Sequence, residues 1–320
     1  MIITPAIFNP FDPVGEIASM INEVICKALV SIANFLFQGY YGIIKALTNS
    51  SYISGGLSKL FGNEEVWKLV KDVHSAAVVP IGEGILGLFM LIQLVKISQR
   101  IDATATLPAV KDIVFLFVTY VIMHWLIIHS LDLATATYDV INKITTNAAL
   151  SPSSALDKSP LDFGAADDSD IDWSKASIGG CFMLVIFGGL SLFVGGVAFL
   201  IGLVMALARG IQLYMYAAFA PIPLSLLGFD ETRQSGISFI KNFISLCLAG
   251  AIMIFSLVAY PKILTAVATS GFTDNVMVKM VMGGSSVDSL RTLLTGLAVT
   301  ILLGLALVKS GAWAKEILGS

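Results

Sequence analysis

Charge is what this chain has least of. Lys, Arg, Asp and Glu make up 13% of its 320 residues, about half the share of a soluble domain. So few charges cannot clothe a water-facing surface, and with 56% hydrophobic residues the main solvent of this chain is lipid. The formal net charge of −3 and the lack of any dense Lys/Arg run exclude a nucleic-acid patch. Cysteine is equally sparse. Cys26, Cys181 and Cys247 stand apart in apolar stretches without CxxC or metal spacing, and they read as small buried hydrophobes. His124 and His129 are five residues apart, on different faces of a helix, which suits polar contacts within a bundle and not a shared metal. Enzyme motifs are missing too. There is no HExxH and no P-loop. Gly189-Leu190-Ser191 lacks the second glycine of a serine-protease elbow, and Tyr138-Asp139 has no GxGD partner. No catalytic residue, cofactor or metal is therefore expected. The opening MIITPAIFNPFDPVGEI has neither a basic start nor an apolar core, so no signal peptide is expected and insertion relies on internal spans.

What is present is hydrophobic length. Between Lys175 and Arg209 lie 33 residues without a formal charge. The fold class this predicts is an all-α polytopic membrane protein with about five transmembrane helices: Val73–Val95, Ile113–Leu131, Ile178–Ala208, Asn242–Tyr260 and Thr292–Val308. The stretch 210–229 is apolar but broken by Pro221 and Pro223. It reads as a re-entrant hairpin, tolerated at depth only where protein or water covers it. Residues 1–72 read as an amphipathic helical region. Asp12-Pro13 starts a helix, and Ile17, Met20, Ile21, Val24, Ala28, Ile32, Phe35 and Leu36 recur at helical spacing. Its charge-free part, 28–44, either lies in the membrane interface or just manages to span.

Charge sets the expected orientation. The turn 96–112, the stretch 209–241 and the tail 309–320 hold eight Lys and Arg in 62 residues, against eleven in 149 for the other connecting segments. The first group is expected in the cytoplasm, with the N-terminal region and the loop 132–177 outside. That loop carries eight Asp against three Lys.

Three features stand out within the spans. Cys181, Gly188, Gly195 and Gly202 recur every seven residues. Such a stripe lets a neighbouring backbone come close, either within the subunit or between copies in an oligomer. Glu83, between Gly82 and Gly84, is an acidic residue deep in a span, where a carboxylate faces protein or water. It reads as a pore wall, an interface contact or a hydrogen-bonded structural carboxyl. Arg209 closes the long span, free to snorkel to the interface or to pair with Asp230 or Glu231.

The run ARGIQLYMYAAFAPIPLSLLG, with its Arg, aromatic-rich helix and Pro-x-Pro, resembles the signature segment of the TrbL-like family, also known as the sixth VirB protein. VVPIGEGILGLFMLIQLVKISQRID followed by a span resembles versions found in conjugative elements of Gram-positive bacteria. The resemblance covers roughly residues 70–310. It implies a channel or platform subunit of a type IV secretion system, homo-oligomeric in the cytoplasmic membrane. Its implied partners are other secretion subunits, separate ATPases and membrane lipids, with single-stranded DNA bound to protein as indirect cargo. On that reading Gly188, Gly195 and Gly202 serve assembly. Arg209, Tyr214, Pro221, Pro223 and Asp230 form a cytoplasmic hairpin or gate. The acidic external loop departs from what direct contact with DNA phosphates would need. A stand-alone small-solute transporter or a membrane scaffold are the rival readings, the first weakened by the absence of an internal repeat.

Overall fold

A computed structural model of the chain describes residues 13–48, 51–104, 108–146, 173, 176–269, 281 and 286–319. Among these residues there is no strand. The helices are α1 (Pro13–Thr48), α2 (Ser51–Ser54), α3 (Glu65–Val73), α4 (Val79–Thr104), α5 (Pro108–Ile128), α6 (Ser130–Thr146), α7 (Ile178–Phe219), α8 (Pro221–Ser225), α9 (Arg233–Thr269) and α10 (Ser286–Leu318). Among the described residues six segments are long and apolar enough to cross a membrane: Ile17–Leu47, Glu65–Gln99, Lys111–Ile128, Ile178–Phe219, Arg233–Ile263 and Leu294–Leu318. The protein is thus an all-helical polytopic membrane protein. It divides into two compact units, one of Met1–Leu47, Pro152–Ile201 and Leu257–Leu305, the other of Thr48–Ser151, Gly202–Ser256 and Ala306–Ser320.

The first unit is organised by a seam between α1 and the first half of α7. Asn22 Nδ2 donates to the Ala176 carbonyl at 2.7 Å. A Cβ on Gly188 would lie 3.3 Å from Leu36 Cβ and 3.5 Å from the Ala33 carbonyl oxygen, and one on Gly195 would overlap the Tyr40 ring. Contacts that climb both helices together mean that α1 and α7 run parallel. Cys26, Ala33 and Tyr40 are spaced by seven, as are Cys181, Gly188 and Gly195, and a seven-residue period on both partners is the mark of coiled-coil packing. The glycine stripe therefore meets α1 of its own chain at Gly188 and Gly195, against Leu36 and Tyr40. Gly202, the next residue of the stripe, is buried in the other unit.

Beside Gly195 the seam is tied to α9 and α10. The hydroxyls of Tyr40 and Tyr260 are hydrogen-bonded to each other. Thr300 Oγ1 lies 2.8 Å from the Tyr40 hydroxyl and 3.0 Å from that of Tyr260, and it also donates to the Gly296 carbonyl. All three residues are buried. Hydroxyls in hydrocarbon must find partners within the protein, so this cluster fixes which faces of three helices meet.

The second unit is built on α4, α5, α6 and the second half of α7. Only three residues separate the end of α4 from the start of α5, so the two pack as an antiparallel hairpin, with Glu83 beside His124 and Leu86 in one cluster with Ile127 and Phe229. Leu57, Leu60, Trp67, Val70, Tyr138, Leu213, Tyr214 and Phe243 form a core around the end of α7. Between α3 and α4 the helix widens into a π turn, His74–Val78, whose end is marked by Val79 N–H bonding to the His74 carbonyl. Pro80 follows directly and has no N–H to give to Ala76, which removes one ordinary helical bond from that turn. His74 is buried and contacts Ser130 Oγ at 2.8 Å. Because Ser130 gives its own proton to the Ile127 carbonyl, His74 Nε2 is the donor.

Several sequence expectations change here. The long span does not end at Ala208 but continues through Arg209 and Gly210 to Phe219. Gly210 is held in the helix because Leu60 and Phe61 fill the place of its missing side chain. The break expected over 210–229 is confined to its second half. Pro261 does not end the fourth span, and α9 runs on to Thr269. The loop 132–177 begins as a helix, α6, since Ala134, Tyr138 and Ile141 recur on one face and pack into the core. The rest of that acidic loop, residues 147–172, and the Asp12 cap lie outside the described residues. Within the N-terminal region, α1 is one long helix whose Ile17–Leu47 portion is long enough to cross. Its apolar repeat Ile17, Met20, Ile21, Val24, Ile32 and Phe35 is exposed, and the buried face is Cys26, Ala33, Phe37, Tyr40 and Ile44.

Two substitutions test the seam. Gly195→Leu places a side chain in the Tyr40 ring and should lower stability by about 1–3 kcal/mol. Gly189→Leu, with open space at its Cβ, should be neutral or slightly stabilising. Equal melting temperatures of the two variants in lipid nanodiscs would contradict the seam. Tyr40→Phe, which strips one hydroxyl from the cluster, should cost about 0.5–2 kcal/mol by the same measurement.

Candidate functional site: a proline-broken turn and a buried arginine

The turn that follows α7 is set by its prolines. Pro221 has no N–H for the carbonyl of Ala217, which weakens the ladder there, and α7 stops before it at Phe219. The same defect costs nothing at the start of the next helix, where the first N–H groups have no intrahelical partner. Pro221 and Pro223 accordingly sit in the first turn of α8, a helix of five residues. A 3₁₀ turn, Leu226–Gly228, and the extended residue Phe229 complete the link to α9. The link closes on itself. Ser225 Oγ donates to the Ile222 carbonyl at 2.6 Å, Thr232 Oγ1 to Leu226 at 2.9 Å, and Arg233 N–H to Phe229 at 2.8 Å.

Glycines on neighbouring helices give this turn its place. A Cβ on Gly82 of α4 would stand 2.9 Å from Pro221 Cβ and 3.0 Å from the Pro221 carbonyl oxygen. One on Gly236 of α9 would stand 2.6 Å from Leu227 and 2.8 Å from the Pro223 carbonyl oxygen. Gly228 packs against Met123 and Thr119 of α5 and against Leu86. Phe229 stacks on Phe89 with ring centroids 4.9 Å apart. Beyond the stack, Lys96 Nζ meets Glu231 Oε1 at 2.5 Å in an exposed ion pair, while Asp230 is exposed. The pair orients more than it stabilises, since exposed bridges contribute about 0–1 kcal/mol.

Three turns earlier in α7 is Arg209, 5% exposed. It neither snorkels nor reaches Asp230 or Glu231. Its Nε donates to the Leu246 carbonyl at 2.9 Å and its Nη2 to the Cys247 carbonyl at 3.4 Å, both on α9. Helical carbonyls are normally screened by the side chains of the next turn. Here the residue four positions on from Leu246 is Gly250, and a Cβ there would overlap the guanidinium. The glycine opens the carbonyls to a lateral donor. The phenol of Tyr138, from α6, lies beside the guanidinium and donates to the Gly55 carbonyl at 2.9 Å. Burial pushes the Tyr138 phenol above its ordinary value, against the pull of Arg209. Nη1 of Arg209 has no hydrogen-bond partner. A buried cation held by main-chain carbonyls ties α7 to α9 just before the turn. Hydrogen bonds to charged groups are worth about 1.5–3 kcal/mol each.

The structure thus sets Pro221 against Gly82 and the Pro223 carbonyl against Gly236, with Arg209 earlier on α7. Tyr214 lies between them, buried between the Phe61 and Trp67 rings at 5.2 and 5.5 Å. Glu83, next to Gly82, is half-exposed and sits 3.3 Å from His124 Nδ1, a polar pair across the α4–α5 hairpin. Gly188 and Gly195 belong to the other unit. Sequence reasoning missed Gly236, Gly250 and Tyr138. Gly236 and Gly250 lie on the same helix, but nothing in their spacing ties them to Leu227 or Arg209. Among the described residues no three His, Cys, Asp or Glu side chains gather to hold a metal.

The family model described as TrbL/VirB6 plasmid conjugal transfer like protein matches residues 59–221. No curated protein and no solved structure matches the chain. The matched stretch begins in the 3₁₀ turn Leu57–Lys59 and ends on Pro221, so it contains Gly82, Glu83, Arg209, Tyr214 and the first proline of the turn. With half of its length carrying that pattern, including both sides of the Gly82–Pro221 contact, the chain belongs to the TrbL/VirB6 plasmid conjugal transfer-like family.

Proposed function

We propose that this membrane subunit of a conjugal transfer system forms, as an oligomer, the channel or the platform through which DNA–protein or protein cargo crosses the cytoplasmic membrane. The observation that carries the reading is the family match over residues 59–221, which ends on the proline whose contact with Gly82 positions the turn. The subunit is not an enzyme, and the energy for transport comes from separate ATPases. The basic segments 96–112, 209–241 and 309–320 face the cytoplasm, and the N-terminal region and acidic loop face outward. In that orientation the Pro221–Asp230 turn and the Lys96–Glu231 pair form the surface offered to the ATPases. Arg209 is the organiser beneath that surface, linking α7 to α9 so that movement of one is felt by the other.

Gly82→Val and Gly84→Ala test the turn in a donor strain lacking the native gene. Valine at 82 must displace Pro221, a strain of about 1–3 kcal/mol, which shifts the turn's population by about 5- to 150-fold. Transfer frequency should fall accordingly at unchanged membrane level. Gly84, with open space at its Cβ, should tolerate alanine. Unimpaired transfer by Gly82→Val would remove the turn from the mechanism. Unimpaired transfer by the deletion strain itself would overturn the whole reading. Native mass measurement of the gently extracted protein with lipids retained tests assembly: a defined multiple of the chain mass is expected, and a monomer would refute the oligomer.

A further inference from the structure

The seam between α1 and α7 holds two thiols that its geometry sets face to face. Three contacts fix the register independently of them: Asn22 with Ala176, Ala33 and Leu36 with Gly188, and Tyr40 with Gly195. Ala33 and Gly188 differ by 155 in number, and so do Tyr40 and Gly195. Cys26 lies seven residues before Ala33 and Cys181 seven before Gly188, so the same offset pairs Cys26 with Cys181. In a parallel seam with a seven-residue period, equivalent positions face each other layer by layer. Both thiols are fully buried in one cluster with Leu184 and Phe187, and they interact with each other. Cys26 Sγ also lies 3.9 Å from Asn22 Oδ1. The neighbouring layer is a glycine, which brings the two backbones close enough for short side chains to touch. Cys247 is on α9 in the other unit and belongs to a separate core.

We propose that Cys26 and Cys181 are a paired modification site, two thiols that a disulfide-type oxidant closes into an intramolecular disulfide fastening α1 to α7. The step is an exchange. One cysteine, as thiolate, attacks a sulfur of the oxidant and releases one of its halves as a thiol. The second then attacks the mixed disulfide and releases the other half. Two S–H bonds are lost, one S–S bond is gained, and the two electrons and two protons leave with the reduced oxidant. The pair is three residues inside the start of α7. Under the proposed orientation that start is the extracytoplasmic end, where disulfides persist. Burial means that the exchange takes place before α1 docks, or when it lifts from α7. The bond would then hold the seam shut. This inference stands apart from the proposed role in transfer, and its test does not use transfer.

The measurement uses the full chain in isolated membranes, treated with the thiol oxidant diamide. Diamide takes up the two hydrogens as its N=N bond becomes a hydrazine. Remaining thiols are blocked with maleimide in denaturant and the peptides mapped by mass. Of the three cysteines, Cys26 and Cys181 should vanish together from the blocked pool, reappear as one cross-linked peptide on a monomeric chain, and return after reduction. Cys247 should stay blocked throughout. In Cys26→Ser, Cys181 should remain blockable after the same oxidation. The proposal is overturned if wild-type Cys26 and Cys181 both remain blockable. It is equally overturned if their cross-links run between chains or to Cys247.

Discussion

The close parallel approach of α1 and α7 is the constraint on which the first unit rests. Lipid tails are as apolar as leucine, so no hydrophobic force drives helices together there, and association depends on fit and on hydrogen bonds. Both are concentrated on one line. Gly188 and Gly195 remove bulk from α7. The space this opens is taken by Leu36, the backbone of Ala33 and the ring of Tyr40. Tyr40 then carries its hydroxyl past α7 to Tyr260 and Thr300. One side chain thus reads the glycine on one helix and recruits two others, so a change at Gly195 is felt on α9 and α10 without touching either.

The sequence made half of this seam legible. The seven-residue repeat of Cys181, Gly188 and Gly195 is plain to the eye, and small residues on a membrane helix mean a close neighbour. The identity of the neighbour is not in the repeat. The matching repeat on α1, Cys26, Ala33 and Tyr40, was overshadowed by the stronger apolar one at Ile17, Met20, Ile21 and Val24, which faces outward. In water the most hydrophobic face of a helix is the buried one. In a bilayer the greasy face can be left to lipid, and the face with small and hydroxylated residues turns inward. Periodicity identified the helix correctly and its inner face not at all.

The proline turn shows the opposite balance. Pro221 and Pro223 announced a break, and the family pattern led to the same place. What composition could not show was how far the helix before the break would run. Arg209 and Gly210 look like a terminus, a charge followed by a helix breaker. They are interior because Gly250 and the Leu246 carbonyl receive the charge and Leu60 and Phe61 fill the glycine's void. Each of these is a tertiary contact with a residue at least 37 positions away in the chain. A local reading cannot price a buried guanidinium when its acceptors are main-chain carbonyls exposed by a missing Cβ on another helix.

Direction adds a constraint that hydropathy does not contain. Two helices packed in parallel begin on the same face of a membrane. If both cross, the chain between the end of one and the start of the other must cross an odd number of times. Among the described residues between α1 and α7 lie two segments of crossing length and apolarity, Glu65–Gln99 and Lys111–Ile128. Two is even, and α6 with the acidic stretch after it is too polar to supply another plain crossing. The first four candidate segments therefore cannot all be simple alternating spans. At least one of the four enters the membrane without passing through it. Length and apolarity say which helices lipid will accept, whereas the glycine seam, through the sense of its contacts, limits how the chain can connect them.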